Sequence, residues 1–382
     1  MVVTKNMVRR RASSAAPSHL IHASSPVPQI KHKQSRRSKS KGPRQPSNSD
    51  LSLKKRNATL AAEQTVDLVL GDGKYIETRR CRDPSPLADS LGRHATETVW
   101  HVEHNITADI AVSVDRTSIY HMHTPLPAQQ LAVRETRFEF TRSNALTIAR
   151  RYAPSNIMCK ATPIPSQVGV LVLTSSSPGG DFTEGSTTFD AVVARSTTII
   201  ASLSMSSAGQ EFYHTFNPHS ILYSPQVVGF RRDEDDTLEL QEADFVPSRD
   251  AILADGLECA LNDYVAPYVA NVLSVPHAQW DFADASRSRQ ALKLRLSRVL
   301  DIFAARGDRI LVLRPECNVP LETVAQVYAE LLTGTPDDTG SGRFRNVFDK
   351  VVFCVGRHRL SAFRHAFDMR TFEDELNAYL SE

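Results

Sequence analysis

The sequence predicts an α/β fold, a three-layer αβα sandwich in which a largely parallel or mixed sheet is covered by helices on both faces. Three observations carry this prediction. Between residues 137 and 356, short apolar runs alternate with longer stretches whose apolar residues recur at helical spacing, the pattern of strands joined through crossover helices. Residues 168–173 form a continuous apolar run bounded by polar residues, as a strand buried on both faces requires. That run leads into Pro178-Gly179-Gly180-Asp181-Phe182-Thr183-Glu184-Gly185, a turn that opens onto a helical stripe beginning at Phe189. A strand, a glycine turn and a helix N-terminus together form the frame of an anion site, because glycines admit a close approach to backbone N–H groups and the helix dipole adds positive potential.

The chain starts with a strongly basic stretch. Residues 1–56 carry a net charge of +13 and the remaining residues −11, within a total of +2. Residues 1–57 are rich in Ser, Pro, Arg and Lys and poor in large apolar side chains, so we expect a disordered arm. Its densest cationic segment, within residues 31–44, suits nucleic-acid phosphates or an import receptor, and a solvated tail is the plain alternative. These features lead us to expect an intracellular protein of the nucleus or cytoplasm. The acid-free, Arg- and Ser-rich start leaves the mitochondrial matrix as a minority reading.

The five cysteines are scattered and never occur as C-x-x-C, which argues against a disulfide framework and against a zinc site. No apolar run reaches the length of a membrane span, so no membrane partner is expected. The expected cofactor set is empty.

Residues 58–136 are expected to form an accessory, mainly helical lobe. A helix over 58–70 stops at Gly71-Asp72-Gly73, and Tyr75 and Ile76 restart as an extended segment. His94, His101, His104, His121 and His123 lie in this part. The spacing would place His101 and His104 on one face of a helix, and His121 and His123 on one face of a strand. With no carboxylate or cysteine completing a ligand pattern, we expect surface or partly buried histidines and no metal.

The main domain spans residues 137–356. Strands are expected at 138–140, 168–173, 220–223, 227–231, 269–275, 309–313 and 351–355. Helices are expected from Ser143, as N-cap, to Tyr152 and over 189–203, 287–305 and 321–332. A tail, 357–382, ends in a short helix over 372–380. Ligands on such sheets lie beyond the carboxyl ends of the strands, which puts 175–185, Pro276-His277 and 314–320 around one crevice.

The order of these pieces resembles the microbial-type poly(ADP-ribose) glycohydrolases, a branch of the macrodomain fold. The turn is similar to that family's Asn-Pro-Gly-Gly-Gly-Phe. Ile221-Leu222-Tyr223-Ser224-Pro225, Val227 to Asp233 and Val272-Leu273-Ser274-Val275-Pro276 resemble successive family strands, and Arg137 to Thr141 and Arg309 to Leu313 stand in the matching order. The resemblance implies a macrodomain-like fold. It also implies an ADP-ribose ligand, free or on a poly(ADP-ribose)-modified protein, held by Ser177, Pro178, Gly179, Gly180, Asp181, Phe182, Pro276 and Arg314.

Departures from the family pattern qualify the implied chemistry. The family cleaves with a glutamate of a Gln-Glu-Glu triplet, and those positions here read Phe189, Asp190 and Ala191. A positioned general acid contributes about 10²- to 10⁴-fold in rate, so Ala191 implies an impaired catalyst, with Asp190 the nearest acid able to act. Asp181 stands in place of the third glycine, and its carboxylate would repel a diphosphate about 4 Å away by roughly 1 to 4 kcal/mol. Ser177 replaces asparagine. Arg314-Pro315-Glu316-Cys317-Asn318-Val319-Pro320 replaces a Gly-Cys-Gly turn, and its prolines carry no N–H donor. The leading expectation is therefore a catalytically impaired ADP-ribose or nucleotide-binding module. The alternatives are an active hydrolase using Asp190 or Glu184, and a nucleic-acid or chromatin-associated protein acting through its arm.

Overall fold

The computed structural model describes residues 48–82, 97–126, 135–153, 166–232, 264–315, 318–334 and 340–381. All lie in one compact unit, Ser47–Glu382. The cationic segment 31–44, His94 and four of the five cysteine side chains lie outside what is described.

The first helix, α1 (Asn48–Val69), begins ten residues ahead of the expected boundary. Lys54, Lys55 and Arg56 are good helix formers, so the charged segment joins the helix and keeps its side chains exposed. A hairpin of β1 (Lys74–Arg82) and β2 (Glu97–Asn105) follows, with Lys74 opposite Asn105 and Tyr75 opposite His104. This corrects the helical placement of His101 and His104, which a strand puts on opposite faces. His104 is buried and its Nε2 lies 2.8 Å from Glu77 Oε2, whereas His101 is exposed.

Next come α2 (Thr107–Arg116) and β3 (Ser118–Tyr120). His121 and His123 fall in the turn after β3 and not on it, a second correction; His121 meets Glu211 at 3.1 Å on the surface. Among the described residues, no His, Cys, Asp or Glu side chains gather into a group of three able to hold a metal ion. No described helix is long and apolar enough to cross a membrane.

The main sheet has seven strands among the described residues, in the order β3-β6-β7-β5-β8-β9-β4. The others are β4 (Arg137–Thr141), β5 (Val168–Thr174), β6 (Ile221–Arg231), β7 (Tyr264–Pro276), β8 (Ile310–Leu313) and β9 (Lys350–Cys354). β7, β5, β8, β9 and β4 run parallel, while β6 is antiparallel to both β7 and β3. The sheet is therefore mixed, as expected. The stretch 220–231 is one strand, not two: a register shift between Ser224 and Val227, with Gln226 at φ 53°, lets the chain absorb an extra residue and continue.

Helices cover both faces. One carries α1, α2, α3 (Ala145–Tyr152), α4 (Phe189–Ser196), α5 (Ile199–Met205) and α6 (Ser207–Thr215); the other carries α7 (Ala285–Arg306), α8 (Leu321–Leu332) and α9 (Leu360–Ser381). β5 supplies both cores, with Val168, Val170 and Val172 on the first face and Leu171 on the second. Full burial of each such side chain contributes about 1.5–3 kcal/mol.

Two helices depart from the expected pattern for identifiable reasons. The stripe over 189–203 breaks at Thr197, where Thr197 bridges Gly229 and Thr198 N donates to Val228 O at 2.9 Å. A β-branched run, Thr197 to Ile200, lowers helix propensity there, and the adjacent strand offers competing hydrogen bonds. The terminal helix is 22 residues rather than a short piece. Phe363 and Phe367 anchor its first half against Phe140 and Phe353. The N-cap of α3 is Asn144, whose Oδ1 accepts from Leu146 N at 3.1 Å; Ser143 is one residue early and bonds Thr141 instead.

Candidate functional site

The carboxyl ends of the parallel strands share one edge, where β5 Thr174 pairs with β7 Pro276. From this edge leave the segments that sequence reasoning grouped: the glycine turn after β5, Pro276 with His277 after β7, and Arg314 after β8.

The glycine turn is a left-handed coil. Gly179, Gly180 and Asp181 have φ of 68°, 59° and 57°. Glycine occupies this region freely, and aspartate is one of the few other residues to tolerate it. Gly180 N donates to Ser177 O at 3.0 Å, Phe182 N to Gly179 O at 3.2 Å and Glu184 N to Asp181 O at 3.0 Å. Three N–H groups of the turn are thus spent on its own carbonyls, which leaves fewer for an anion.

Asp190 explains why Gly180 is needed. It is the second residue of α4 and is buried. Its Oδ2 accepts from Ser175 N at 3.1 Å and from Ser175 Oγ at 3.2 Å, and its Oδ1 accepts from Ala191 N at 3.0 Å. A Cβ added at Gly180 would lie 2.4 Å from this carboxyl group. The turn therefore lies directly on the Asp190 carboxylate, which ties the end of β5 to the start of α4. This is the role of a clamp.

The other expected site residues take distinct places. Asp181 is exposed and accepts from Ser177 Oγ at 2.7 Å, while Pro178 beside them is exposed. Phe182 turns inward and is buried in the core beside Gly179. Pro276 is buried at the strand end. Ala191 is fully buried at 0 % exposure in the first core. Glu184 is exposed in the short 3₁₀ turn Phe182–Glu184. Arg314 lies over the ring of Phe189 at 4.8 Å, a cation–π contact. Phe189 thus packs against the core, as its phase in the stripe predicts, and also carries this arginine.

Sequence reasoning put Ser175 at the crevice but not as the partner of Asp190, and it missed the other groups that support the turn. Tyr213 from α6 shares a 3.0 Å hydrogen bond with Thr174 Oγ1, and burial, before the nearby Asp190 charge, pushes its hydroxyl up to about 12. From α1, Thr65 Oγ1 donates to Arg195 O at 2.6 Å, and Arg195 Nη1 donates to Ser186 O at 2.6 Å, which braces the far end of the turn. A second cluster joins β4, α3 and β9. Tyr152 donates to Glu139 Oε2 at 2.6 Å and accepts from Lys350 Nζ at 2.8 Å. Burial pushes the nearby Cys354 thiol up to about 12, with Arg314 opposing. These partners lie far apart in the chain, so no local spacing announces them.

The family model described as "Microbial-type PARG, catalytic domain" matches residues 93–232. The crystal structure of poly(ADP-ribose) glycohydrolase from Thermomonospora curvata is 24% identical over 82% of this chain and 99% of that chain, with a TM-score of 0.54. The same enzyme bound to the inhibitor ADP-HPD is 23% identical over the same shares, with a TM-score of 0.52. No curated protein matches the chain. The resemblance read from the sequence is borne out, and the fold is that of the ADP-ribose glycohydrolases.

Proposed function

We propose that this protein is a weak binder of ADP-ribose or a related nucleotide whose glycohydrolase chemistry is impaired. The observation that carries the reading is the pair Asp190 and Ala191. Asp190 faces the Ser175 N–H and hydroxyl beneath Gly180, and Ala191 is a buried methyl group without a proton to give. A general acid must reach the leaving oxygen directly or through one water. A carboxylate lying under the turn and bonded by three protein donors is poorly placed to do so.

The poly(ADP-ribose) glycohydrolase fold supports the ligand class. Two features support low affinity: the exposed Asp181 carboxylate on the turn, and the turn N–H groups already spent on Ser177, Gly179 and Asp181. The Arg314 guanidinium, now over the Phe189 ring, is the positive charge that would meet a phosphate.

Calorimetric titration of the full chain with ADP-ribose should give a dissociation constant of about 0.1–1 mM. Asp181→Gly should tighten it about tenfold, the factor that corresponds to relief of roughly 1.4 kcal/mol of repulsion. No ADP-ribose should be released from a poly(ADP-ribosyl)ated protein. Release that disappears in Asp190→Ala would make the protein a hydrolase, and absence of heat in both the natural chain and Asp181→Gly would remove the ligand from the reading.

A further inference from the structure

The helix α9 has two unlike faces. One is anchored: Phe363, Ala366 and Phe367 are buried in the second core. Arg370 continues this face by reaching Glu330 on α8 at 3.1 Å and Asp374 at 2.8 Å, and the Thr371 hydroxyl meets that of Thr333 at 3.1 Å. These contacts fix how the helix is turned about its axis.

The other face is apolar and exposed. Met369, Phe372, Leu376, Tyr379 and Leu380 are each 45–76 % exposed. With 3.6 residues per turn they fall in one stripe about 100° wide, centred about 160° around the helix from the anchored residues. The steps from Met369 to Phe372, Leu376 and Tyr379 follow the alternating spacing of a and d positions in a coiled-coil seam, and Leu380 lies beside the seam at an e position. Large apolar side chains in one row on an anchored helix form a surface that a second helix covers.

The flanks select the partner. In the same heptad, Asp368 and Glu375 take g positions and Glu373 an e position, and all three are exposed. Residues 368–380 carry four acids against one base. Arg364 pairs with Asp368 at 3.4 Å and Arg370 with Glu373 at 3.3 Å, while Glu375 has no ion pair among the described residues.

A second copy of α9 would set carboxylates against carboxylates. A parallel pair brings g against e, so Asp368 meets Glu373, and an antiparallel pair brings g against g and e against e. Lysine or arginine on the facing helix would meet the same positions with the opposite charge. We propose that this face of α9 docks a basic amphipathic helix of another protein, through an apolar seam flanked by Lys or Arg at its e and g positions. The helix covers the sheet face opposite to α4, so the proposal does not depend on the ligand reading.

Two labelled synthetic peptides of three heptads serve as probes, both with Leu at a and d, one with Lys and the other with Glu at e and g. Fluorescence anisotropy with the full chain should give the Lys peptide a dissociation constant of about 1–50 µM and the Glu peptide one at least about tenfold weaker. Phe372→Ser with Leu376→Ser alters exposed side chains and should abolish binding of the Lys peptide. Asp368→Lys with Glu375→Lys should reverse the order of the two peptides. The proposal is overturned by no binding of the Lys peptide up to about 500 µM, by equal binding of the two peptides, or by binding that survives Phe372→Ser with Leu376→Ser. A dimer of the natural chain that this variant dissolves would overturn it in favour of a second copy. Flotation with phosphatidylcholine vesicles that this variant loses would overturn it in favour of a membrane contact. The comparison of the two peptides needs no variant, so it stands even where a substitution harms folding.

Discussion

Two buried aspartates sit at opposite ends of the sheet and serve opposite ends of the physics of burial. Asp190, at the carboxyl edge, is met by two main-chain N–H groups and a hydroxyl at the first turn of α4, where the helix dipole favours a negative charge. Asp308, ahead of β8, is 0 % exposed; its hydrogen bonds come from neutral side chains, Asn271 Nδ2 at 2.6 Å and the Tyr223 hydroxyl at 3.1 Å, and the Arg306 charge opposes its burial more weakly than they do. Burial is the largest influence on Asp308, and its carboxyl is pushed up to about 7 against an ordinary 3.8; burial and the Asp308 charge together drive the Tyr223 hydroxyl far upward as well. What separates the two is the kind of donor. Main-chain amides at a helix start make a carboxylate a clamp, whereas neutral side chains in a core leave one that takes up a proton near neutrality.

The largest expected effect belongs to Gly180→Ala. Its Cβ would meet the Asp190 carboxyl at 2.4 Å from a backbone at φ 59°, and the clash and the left-handed strain together should cost about 2–4 kcal/mol. The shift in urea midpoint measures this. A loss below about 1 kcal/mol would mean that the turn does not rest on Asp190.

Asp190→Ala should cost about 1–3 kcal/mol by leaving the Ser175 donors unpaired. Amide hydrogen exchange should quicken at Ser175 first. Exchange that quickens only at distant strands would break the clamp account.

Asp308→Asn tests the other end. Because the folded-state pKa is raised above the unfolded value, the native state binds the extra proton, and stability contributed by Asp308 is full below about pH 4 and is lost as pH rises to about 7. Asparagine can accept from Asn271 through Oδ1 and donate from Nδ2 to the Tyr223 hydroxyl oxygen, which keeps both contacts without the charge. Relative to the natural chain, the variant should therefore gain stability between pH 4 and 8 by up to a few kcal/mol. Thermal unfolding across that range reads it, and a difference that does not change with pH would dismiss the titration.

Phe189→Leu should have the smallest effect, about 0.5–1 kcal/mol, from the lost Arg314 contact. Its value lies in ligand binding. If Phe189 restrains Arg314, the variant should bind ADP-ribose somewhat more tightly, and weaker binding would make the ring part of the site.

Much of the fold was legible because apolar period and turn chemistry act over a few residues. The strand at 168–173, the glycine stop, the helices at 287–305 and 321–332 and the spacing from Asp181 to Ala191 follow from such local signals. The helix break at Thr197, His104 on a strand with Glu77, the long terminal helix and the inward ring of Phe182 were not legible in this way. Each depends on partners tens of residues away, and periodicity carries no information about those.

By itself the sequence determined the alternation of elements, the glycine turn and the residues Phe189, Asp190 and Ala191 that follow it. Tertiary structure alone decided what those residues do. Asp190 ties the end of β5 to the start of α4 because Ser175 N–H and Oγ lie within hydrogen-bond reach. Arg314 rests on Phe189 because β8 ends at the edge where α4 begins. A side chain's chemistry is set by the donors, charges and solvent around it, and only the folded chain brings those together.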